Sequence, residues 1–211
     1  MPGKKCVLFD IDGTLMDTEE AIVESLKSTM KKLYSKDYSD EELYFAVALP
    51  SKDVLTTLGV KDVDNALRYW VEQLKAFYHR VRIYPQIKET IQTLKDKKIK
   101  LGIVTARYDF EVEEDLVLKE LLHYFDVVIT YDEILRPKPH PDQLLKALEK
   151  LDAEPGDALY VGDTIIDYEC AKSANVDFVL ANWGRVDRKS NFKDNVKICN
   201  NPAELLTNIM N

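Results

Sequence analysis

The sequence predicts an α/β fold, a Rossmann-like parallel sheet core with an inserted all-helical domain. Short apolar runs without polar alternation, typical of strands buried on both faces, alternate with helical patterns along most of the chain. One long stretch, residues 17–84, has helical patterns but no convincing strand. Strand–helix–strand repetition implies a doubly wound sheet with right-handed crossovers, and the helical stretch interrupts it after the first strand.

The predicted sheet has five strands, each a short run rich in β-branched or large apolar residues. They cover residues 6–9, 101–104, 127–129, 158–161 and 178–180. Apolar side chains recur at helical spacing between the later runs, over 87–94, 144–151 and 166–174. A short final helix is predicted over 202–209, and the polar stretch before it is predicted to be a surface loop.

The helical stretch sets the domain boundaries. One amphipathic stripe runs over 22–33 and another over 67–77, with two shorter helical segments between them. A single long crossover is the alternative, but four helical segments exceed what a crossover needs. We therefore predict a core domain over residues 1–16 and 85–211 and a helical cap domain over residues 17–84.

The composition excludes several classes of protein. The 211 residues include 29 Lys and Arg against 37 Asp and Glu, a formal net charge of −8. No nucleic-acid or membrane partner is expected, because both need a concentrated positive surface. Three widely spaced cysteines do not form a disulfide framework, and neither a signal peptide nor a membrane-length apolar run is recognisable. We expect a cytoplasmic protein that is a monomer or a weak homodimer.

The first predicted strand is followed by Asp10-Ile11-Asp12-Gly13-Thr14. Two carboxylates two residues apart at the carboxyl end of a strand point into one region, and ligands bind at this edge of open α/β sheets. Gly13 permits a tight turn and a close approach of the backbone. For this segment alone, an ordinary Asp-Gly turn is an equally good explanation.

A second acidic pair follows the fourth predicted strand, where Gly162 precedes Asp163 and Asp167 comes one helical turn later. Both side chains can then face one site. The alternative is that Asp163 caps the helix and Asp167 is a surface charge. Together with Asp10 and Asp12, these carboxylates would repel one another unless a cation lay among them, and hard oxygen ligands favour Mg²⁺.

Two further residues follow predicted strands. Thr105 either binds anionic oxygens through its hydroxyl and the loop amides or simply caps its strand. Lys138 lies between Pro137 and Pro139, which predict an extended course that limits where the lysine points. This lysine is better explained as a charge partner of the carboxylates than as a solvated loop residue. Arg107 either contributes positive charge near the entrance of the site or lies on the surface, and of the two we predict the surface.

In their order, these four elements resemble the motifs of the haloacid dehalogenase (HAD) superfamily of phosphohydrolases: DxDGT, a Thr or Ser, a Lys, and GDxxxD. The helical insertion looks like the C1-type cap of that superfamily, and the resemblance covers roughly residues 4–183. It implies a HAD-like core and a Mg²⁺-dependent phosphatase. The implied substrate is a small phosphorylated metabolite, a soluble phosphate monoester that is phosphoglycolate-like or a sugar phosphate. The segments most similar to the phosphoglycolate phosphatase-like branch are Asp17-Thr18, Lys138-Pro139-His140-Pro141 and Asn182-Trp183-Gly184.

The resemblance also implies catalytic and substrate-binding roles. Asp10 would be the nucleophile that becomes an aspartyl phosphate. Asp12 would be the general acid that protonates the leaving oxygen and the base that then activates water. The substrate would be bound by Thr105, Ala106 and Lys138.

The implied metal site uses the same edge of the sheet. Mg²⁺ would be held by the side chain of Asp10, the backbone carbonyl of Asp12 and the side chain of Asp163. Thr14 and Asp167 would support these ligands.

Some questions stay open at this level. Ala106 stands where this branch more often has Asn or Ser, so one side-chain hydrogen bond is lost. A phosphomutase of the β-phosphoglucomutase type and a catalytically silent HAD-fold binding protein are the alternative functions. In the predicted cap, Tyr44, Ser51, Lys52 and Arg82 are candidates for selecting the substrate, and the sequence does not choose among them.

Overall fold

The computed structural model describes residues 3–185, 187–192 and 195–210, with the side chain of residue 210 excepted. The ends of the predicted core domain, residues 1–2 and 211, lie outside the described residues. The chain divides into two compact units. The core unit comprises Met1–Met16 and Ile83–Asn211, and the helical unit comprises Asp17–Arg82.

The described strands are β1 (Cys6–Phe9), β2 (Met16–Asp17), β3 (Arg82–Ile83), β4 (Lys100–Val104), β5 (Val127–Ile129), β6 (Ala158–Gly162), β7 (Asp177–Ala181) and β8 (Lys197–Cys199). The described α-helices are α1 (Glu19–Tyr34), α2 (Asp40–Leu43), α3 (Ser51–Thr57), α4 (Val63–Ala76), α5 (Ile87–Asp96), α6 (Asp109–Glu114), α7 (Lys119–Leu122), α8 (Asp142–Leu151), α9 (Ile165–Ser173) and α10 (Glu204–Met210). Short 3-10 helices cover Tyr44–Val47, Tyr78–Arg80, Pro155–Asp157 and Lys189–Asn191.

A six-stranded parallel sheet forms the centre of the core unit, in the order β5-β4-β1-β6-β7-β8. All five predicted strands are present, and the predicted α/β class is confirmed. β1 lies between β4 and β6, with Cys6 opposite both Lys100 and Ala158. Because all six strands are parallel, their carboxyl ends meet at one edge.

The polar stretch before the last helix differs from the prediction. Residues Lys197–Cys199 are not a surface loop but β8, which pairs with β7 at the edge of the sheet. A three-residue strand that begins with lysine has no apolar run, and its place depends on backbone hydrogen bonds to β7 that no local pattern reveals. β3 also lies inside the stretch predicted to be only helical, and it forms a separate two-stranded sheet with β2.

The helices of the core unit are amphipathic. α8 begins after Pro141 and buries Leu144, Ala147, Leu148 and Leu151 in the core that also contains the strand side chains. Apolar side chains at this spacing form one stripe along a helix, so α8 covers one face of the sheet and its N-terminus lies near the strand ends that carry the polar residues.

The helical unit has its own core. α1 and α4 pack together, and the indole Nε1 of Trp70 donates a hydrogen bond to Ser25 Oγ at 2.9 Å, with both side chains buried. α2 begins with a capping box, in which Ser39 and Glu42 bond each other's backbone N–H groups. Among the described residues, no helix combines the length and the apolar character that crossing a bilayer requires.

Candidate active site

Three polar residues follow neighbouring strands of the sheet. Asp10 comes directly after β1, Thr105 after β4 and Asp163 after β6, and all three are buried. The N–H of Asp10 donates to the carbonyl of Val161 at 2.9 Å, so the ladder between β1 and β6 continues one residue past β1. The parallel register therefore brings side chains far apart in sequence to one edge of the sheet.

The loop after β1 approaches Asp163 closely. Gly13 has a φ of +76°, and its N–H donates to the carbonyl of Met16 at 2.9 Å. A Cβ at this position would lie 2.1 Å from Asp163 Oδ2, so only glycine fits. The hydroxyl of Thr14 donates to Asp163 Oδ1 at 3.4 Å. The predicted tight turn thus packs its backbone against the second acidic motif.

Lys138 joins two of the motif carboxylates. Its Nζ donates to Asp10 Oδ1 at 2.8 Å, to Asp167 Oδ1 at 2.7 Å and to Tyr160 Oη at 3.1 Å. The carbonyl of Val104 is a fourth, longer acceptor at 3.4 Å, so the ammonium group, which has three protons, is surrounded by acceptors. The Lys138 side chain is 5% exposed, which makes it a buried charge partner rather than a solvated residue.

The segment that carries Lys138 is a tight turn. The N–H of His140 donates to the carbonyl of Pro137 at 3.0 Å, and the Lys138–Pro139 peptide is cis. The predicted extended course is therefore wrong, because the hydrogen bond from His140 to Pro137 closes a turn around the lysine. Gln143 anchors the turn: its Oε1 accepts from the Lys138 N–H, and its Nε2 donates to the carbonyls of Thr105 and Thr130.

Asp167 is fixed by the start of α9. Thr164 is the N-cap of this helix, and it forms a capping box with Asp167. The alternative in which Asp163 caps the helix and Asp167 is a surface charge is therefore excluded, since Asp167 is 1% exposed. A Cβ on Gly162 would lie 2.5 Å from the Cβ of Asp167, so the glycine of this motif leaves room for the helix.

Burial and charge act in opposite directions on these groups. Burial raises the pKa of Asp10 to about 7, and the nearby Asp167 and Asp12 add to this rise against the effect of Lys138. Burial also disfavours the ionised form of Asp167, but Lys138 and hydrogen bonds from Thr164 and Tyr160 hold its pKa below the ordinary value. The pKa of Lys138 is raised because the two carboxylates outweigh its burial.

Arg107 lies inside the site, so the predicted surface position is wrong. Its Nε donates to Asp12 Oδ2 at 2.8 Å and its Nη2 to Asp12 Oδ1 at 2.7 Å, while Nη1 donates to Asp115 Oδ2 at 2.7 Å. Its N–H also donates to the Thr105 hydroxyl oxygen at 3.1 Å. A local sequence pattern shows only an arginine after a strand. It does not reveal that the partners are Asp12, 95 residues away, and Asp115 in a following loop.

A second arginine reaches the acidic cluster from the polar C-terminal stretch. Arg188 Nη1 lies 2.7 Å from Asp163 Oδ2, and both side chains are buried. Sequence reasoning missed Arg188 and Asp115, for which it had no signal. It also missed Tyr160 and Gln143, although a polar side chain within an otherwise apolar strand or helix stripe could have revealed both.

The residues at this edge fit a divalent cation. Asp10, Asp163 and Asp167 each offer one carboxylate oxygen, these oxygens lie within 4.8 Å of one another, and all three residues are buried. Oxygen donors with this charge suit Mg²⁺. Within the described part of the chain, the Asp12 side chain is not in this group of three, and both of its oxygens accept hydrogen bonds from Arg107.

The remaining predicted residues are Ala106 and the four candidates in the helical unit. Ala106 is partly exposed, and its side chain has no polar atom. In the helical unit, Tyr44 donates to Glu19, Lys52 pairs with Asp64, and Arg82 pairs with Asp17. Ser51 is half-buried at the start of α3. These four residues belong to the helical unit, and the other predicted residues belong to the core unit.

Comparison with known proteins identifies the class. The chain matches the haloacid dehalogenase-like hydrolase family over residues 7–181. A pyrophosphatase PpaX from Bacillus mycoides (strain KBAB4) is 36% identical over 179 residues, which cover 84% of this chain and 83% of that protein.

Solved structures agree with this match. A protein provisionally named as a phosphoglycolate phosphatase, from Lactobacillus plantarum, superposes with a TM-score of 0.85 at 28% identity, covering 97% of this chain and 98% of that one. A protein provisionally named as a β-phosphoglucomutase, from Thermotoga maritima, superposes with a TM-score of 0.78 at 25% identity. The match covers 98% of this chain and 100% of that one.

The chain belongs to the haloacid dehalogenase-like hydrolase family. The family and the class of enzyme predicted from the sequence, a HAD-like phosphatase, are thereby confirmed.

Proposed function

We propose that the protein is a Mg²⁺-dependent phosphatase that hydrolyses a small phosphorylated compound through an aspartyl phosphate on Asp10. The observation that carries this proposal is the position of Lys138 Nζ, 2.8 Å from Asp10 Oδ1 and 2.7 Å from Asp167 Oδ1, beside the buried Asp163. The lysine offers positive charge to an anionic phosphoryl group, and the further carboxylates offer ligands to a cation. Both features suit attack by a carboxylate on a phosphate that is accompanied by Mg²⁺.

In the first step, a carboxylate oxygen of Asp10 attacks phosphorus and the bond from phosphorus to the leaving oxygen breaks. Asp12 donates its proton to the leaving oxygen, so that an alcohol or a protonated phosphate departs. In the second step, Asp12 removes a proton from water, the water oxygen attacks phosphorus, and the bond to Asp10 breaks. Inorganic phosphate leaves, and both carboxyl groups regain their initial states.

Lys138 and the end of β4 would hold the phosphoryl oxygens. Lys138 holds one oxygen of the Asp10 carboxylate, Oδ1, and its positive charge would attract a phosphoryl group that approaches Asp10. Thr105 and the backbone N–H of Ala106 lie at the end of the neighbouring strand, where a small anion meets loop amides. The helical unit would serve as the cap domain that selects the substrate.

Mg²⁺ would be held by Asp10 and Asp163 with the backbone carbonyl of Asp12, and Asp167 would support them through hydrogen bonds. When bound, the metal supplies positive charge that offsets the repulsion between an anionic nucleophile and an anionic phosphate. We expect turnover to disappear in EDTA and to return with added Mg²⁺. Full activity in EDTA would contradict this part of the proposal.

The relatives support the proposed class of substrate. The similar PpaX proteins are pyrophosphatases, and a similar structure is provisionally named a phosphoglycolate phosphatase. Pyrophosphate and phosphoglycolate are both small anions with a second negative group beside the transferred phosphoryl group. Steady-state turnover of pyrophosphate, phosphoglycolate, sugar phosphates and nucleotides ranks these candidates directly.

Replacement of the nucleophile tests the reaction. Asp10→Asn should abolish phosphate release from 4-nitrophenyl phosphate with Mg²⁺, and the wild type should yield an acid-stable quenched phosphoenzyme that the variant lacks. Asp157→Asn, which removes a carboxylate from the exposed pair with Lys5, is the matched control and should retain full activity. An active Asp10→Asn enzyme would show that the nucleophile is assigned wrongly.

A phosphomutase is the second candidate, because a structure provisionally named as a β-phosphoglucomutase is similar to this chain. Such an enzyme returns the phosphoryl group from Asp10 to a sugar phosphate instead of to water. Incubation with β-glucose 1-phosphate and analysis by mass spectrometry separates the two: an isomerised sugar phosphate indicates a mutase, and free phosphate indicates a phosphatase. A cytoplasmic location stays a prediction from the sequence.

A further inference from the structure

Arg107 contacts the loop that carries Asp10 and Asp12. The preceding residue, Ala106, has no side-chain hydrogen bond to offer to that loop. Arg107 makes such a contact instead, with Nε 2.8 Å from Asp12 Oδ2 and Nη2 2.7 Å from Asp12 Oδ1. A planar guanidinium that meets both oxygens of a carboxylate fixes its plane as well as its position.

Arg107 is itself held from the other side. Its Nη1 donates to Asp115 Oδ2 at 2.7 Å, and Asp115 Oδ1 accepts hydrogen bonds from the N–H groups of Val117 and Leu118, each at 2.9 Å. The side chain of Asp115 is 4% exposed. A continuous series of hydrogen bonds therefore runs from the backbone through Asp115 and Arg107 to Asp12.

The same fork occurs once more on the surface of the core unit. Arg136 Nε and Nη2 donate to the two oxygens of Asp142 at 2.9 and 3.1 Å, but the Arg136 side chain is 63% exposed. An exposed pair of this kind contributes little to stability. The side chains of Arg107 and Asp12 are each only 13% exposed, and a second carboxylate, that of Asp115, also contacts the arginine.

We infer that Arg107 is a positioning residue for Asp12 and that Asp115 orients Arg107. This inference rests on the proposed function, in which Asp12 gives its proton to the leaving oxygen as the bond between that oxygen and phosphorus breaks. Arg107 acts through Asp12: it fixes the orientation of the carboxyl group from one side, and because the fork uses one lone pair of each oxygen, the proton is carried on another. Without the guanidinium, the Asp12 carboxyl group loses the contact to both of its oxygens, and misplacement of an acid by about 1 Å costs roughly 100-fold in rate.

A series of leaving groups tests this role. Substituted phenyl phosphates, from 4-nitrophenyl to phenyl phosphate, need increasing help from an acid because the phenolate becomes more basic. In Arg107→Met we expect kcat/KM for phenyl phosphate to fall about 30-fold and that for 4-nitrophenyl phosphate to fall less than about threefold. The inhibition constant of inorganic phosphate should not change, because Arg107 acts on the acid and not on the phosphoryl group.

Other results would overturn the inference. Equal losses across the series would indicate a merely structural role, and a weaker inhibition by phosphate would indicate that Arg107 binds the phosphoryl group itself. A wild-type enzyme that turns over no member of the series would refute the proposed function instead, so the two failures are distinguishable.

Further variants separate the role from an effect on folding. Asp115→Asn keeps an acceptor for the N–H groups of Val117 and Leu118 but loses the charge that orients Arg107. It should make kcat/KM depend more steeply on the leaving group than in the wild type, but less steeply than in Arg107→Met. Arg107→Lys should restore only part of the loss, because an ammonium cannot meet both carboxylates in a fork. Arg136→Met removes the exposed fork and should leave the series unchanged. Circular dichroism and thermal unfolding of each variant check that the fold is intact.

Discussion

Arg188 Nη1 lies 2.7 Å from Asp163 Oδ2, so the carboxylate predicted to hold a metal already has a cation from the chain itself. Lys138 has the same relationship to Asp10 and Asp167, and Arg107 to Asp12. The four motif carboxylates therefore do not need a metal merely to avoid one another. In the absence of Mg²⁺, side chains of the protein balance much of their charge.

This arrangement predicts how Arg188 affects metal affinity. In Arg188→Gln, Mg²⁺ no longer competes with the guanidinium for Asp163, and we expect its dissociation constant to fall about tenfold, equivalent to about 1.4 kcal/mol. The metal-free variant should also unfold at a lower temperature, because a buried carboxylate loses its partner. Calorimetric titration with Mg²⁺ measures the first effect and thermal unfolding in EDTA the second.

The exposed Arg136→Gln is the control for Arg188→Gln, and it should bind Mg²⁺ as the wild type does. Weaker binding of Mg²⁺ by Arg188→Gln would contradict the competition between the arginine and the metal. It would mean that Arg188 supports the ligand geometry.

Two glycines with the same backbone conformation give a second prediction. Gly13 and Gly59 have φ values of +76° and +75°, but a Cβ at Gly13 would meet Asp163, whereas a Cβ at Gly59 would have no described atom within 4 Å. Alanine should cost about 1 kcal/mol of stability at Gly59 because of the backbone strain, and more at Gly13, where the Cβ would also overlap Asp163. Only Gly13→Ala should also lower kcat/KM, by about 100-fold. Urea unfolding and steady-state kinetics of both variants measure this, and equal activity would refute the close packing.

The pH dependence of stability should report on Asp10. Its pKa is raised to about 7 in the folded protein, above the value of about 4 in an unfolded chain, so the folded state binds this proton more tightly. The resulting stabilisation is complete below about pH 4 and is lost as the pH rises through 7. In EDTA, the free energy of unfolding should therefore fall between pH 5 and 8 more steeply in the wild type than in Asp10→Asn. Urea unfolding at several pH values measures both slopes, and identical slopes would contradict the raised pKa.

The three thiols should be unreactive in the native protein. Cys6, Cys170 and Cys199 are free and buried, and burial raises their pKa values to about 12, 12 and 11. Because the thiolate is the reacting form, Ellman's reagent should label none of them rapidly in native conditions and all three in guanidinium chloride. Rapid native labelling would show that a strand or helix opens readily.

Much of the fold was predictable because strands buried on both faces have apolar runs that need no partner to be recognised. β1, β4, β5, β6 and β7 were of this kind. β8 was not, since Lys197 and its two neighbours become a strand only through hydrogen bonds to β7. Secondary structure that depends on a distant strand leaves no local pattern.

The residues of the candidate site likewise fall into those that the sequence predicts and those that it does not. Asp10 and Asp163 directly follow apolar strands, so topology alone places them at one edge of the sheet. The partners that hold the acidic residues, such as Arg107, Asp115 and Arg188, come from loops and a polar segment. An ion pair has no sequence period, and the position of an arginine therefore had to come from the tertiary structure.

The ion pairs of the site join residues that all belong to the core unit, from Asp10 in the first loop to Arg188 near the C-terminus. We then expect two different rates of substitution along homologous sequences of such an enzyme. Substitutions among the ion-paired residues disturb one another and must change together, whereas exposed residues of Asp17–Arg82 can change without disturbing these ion pairs. With the helical unit as the proposed cap, duplicated copies of this gene would acquire new substrates through substitutions in Asp17–Arg82 while the residues of the reaction are inherited unchanged.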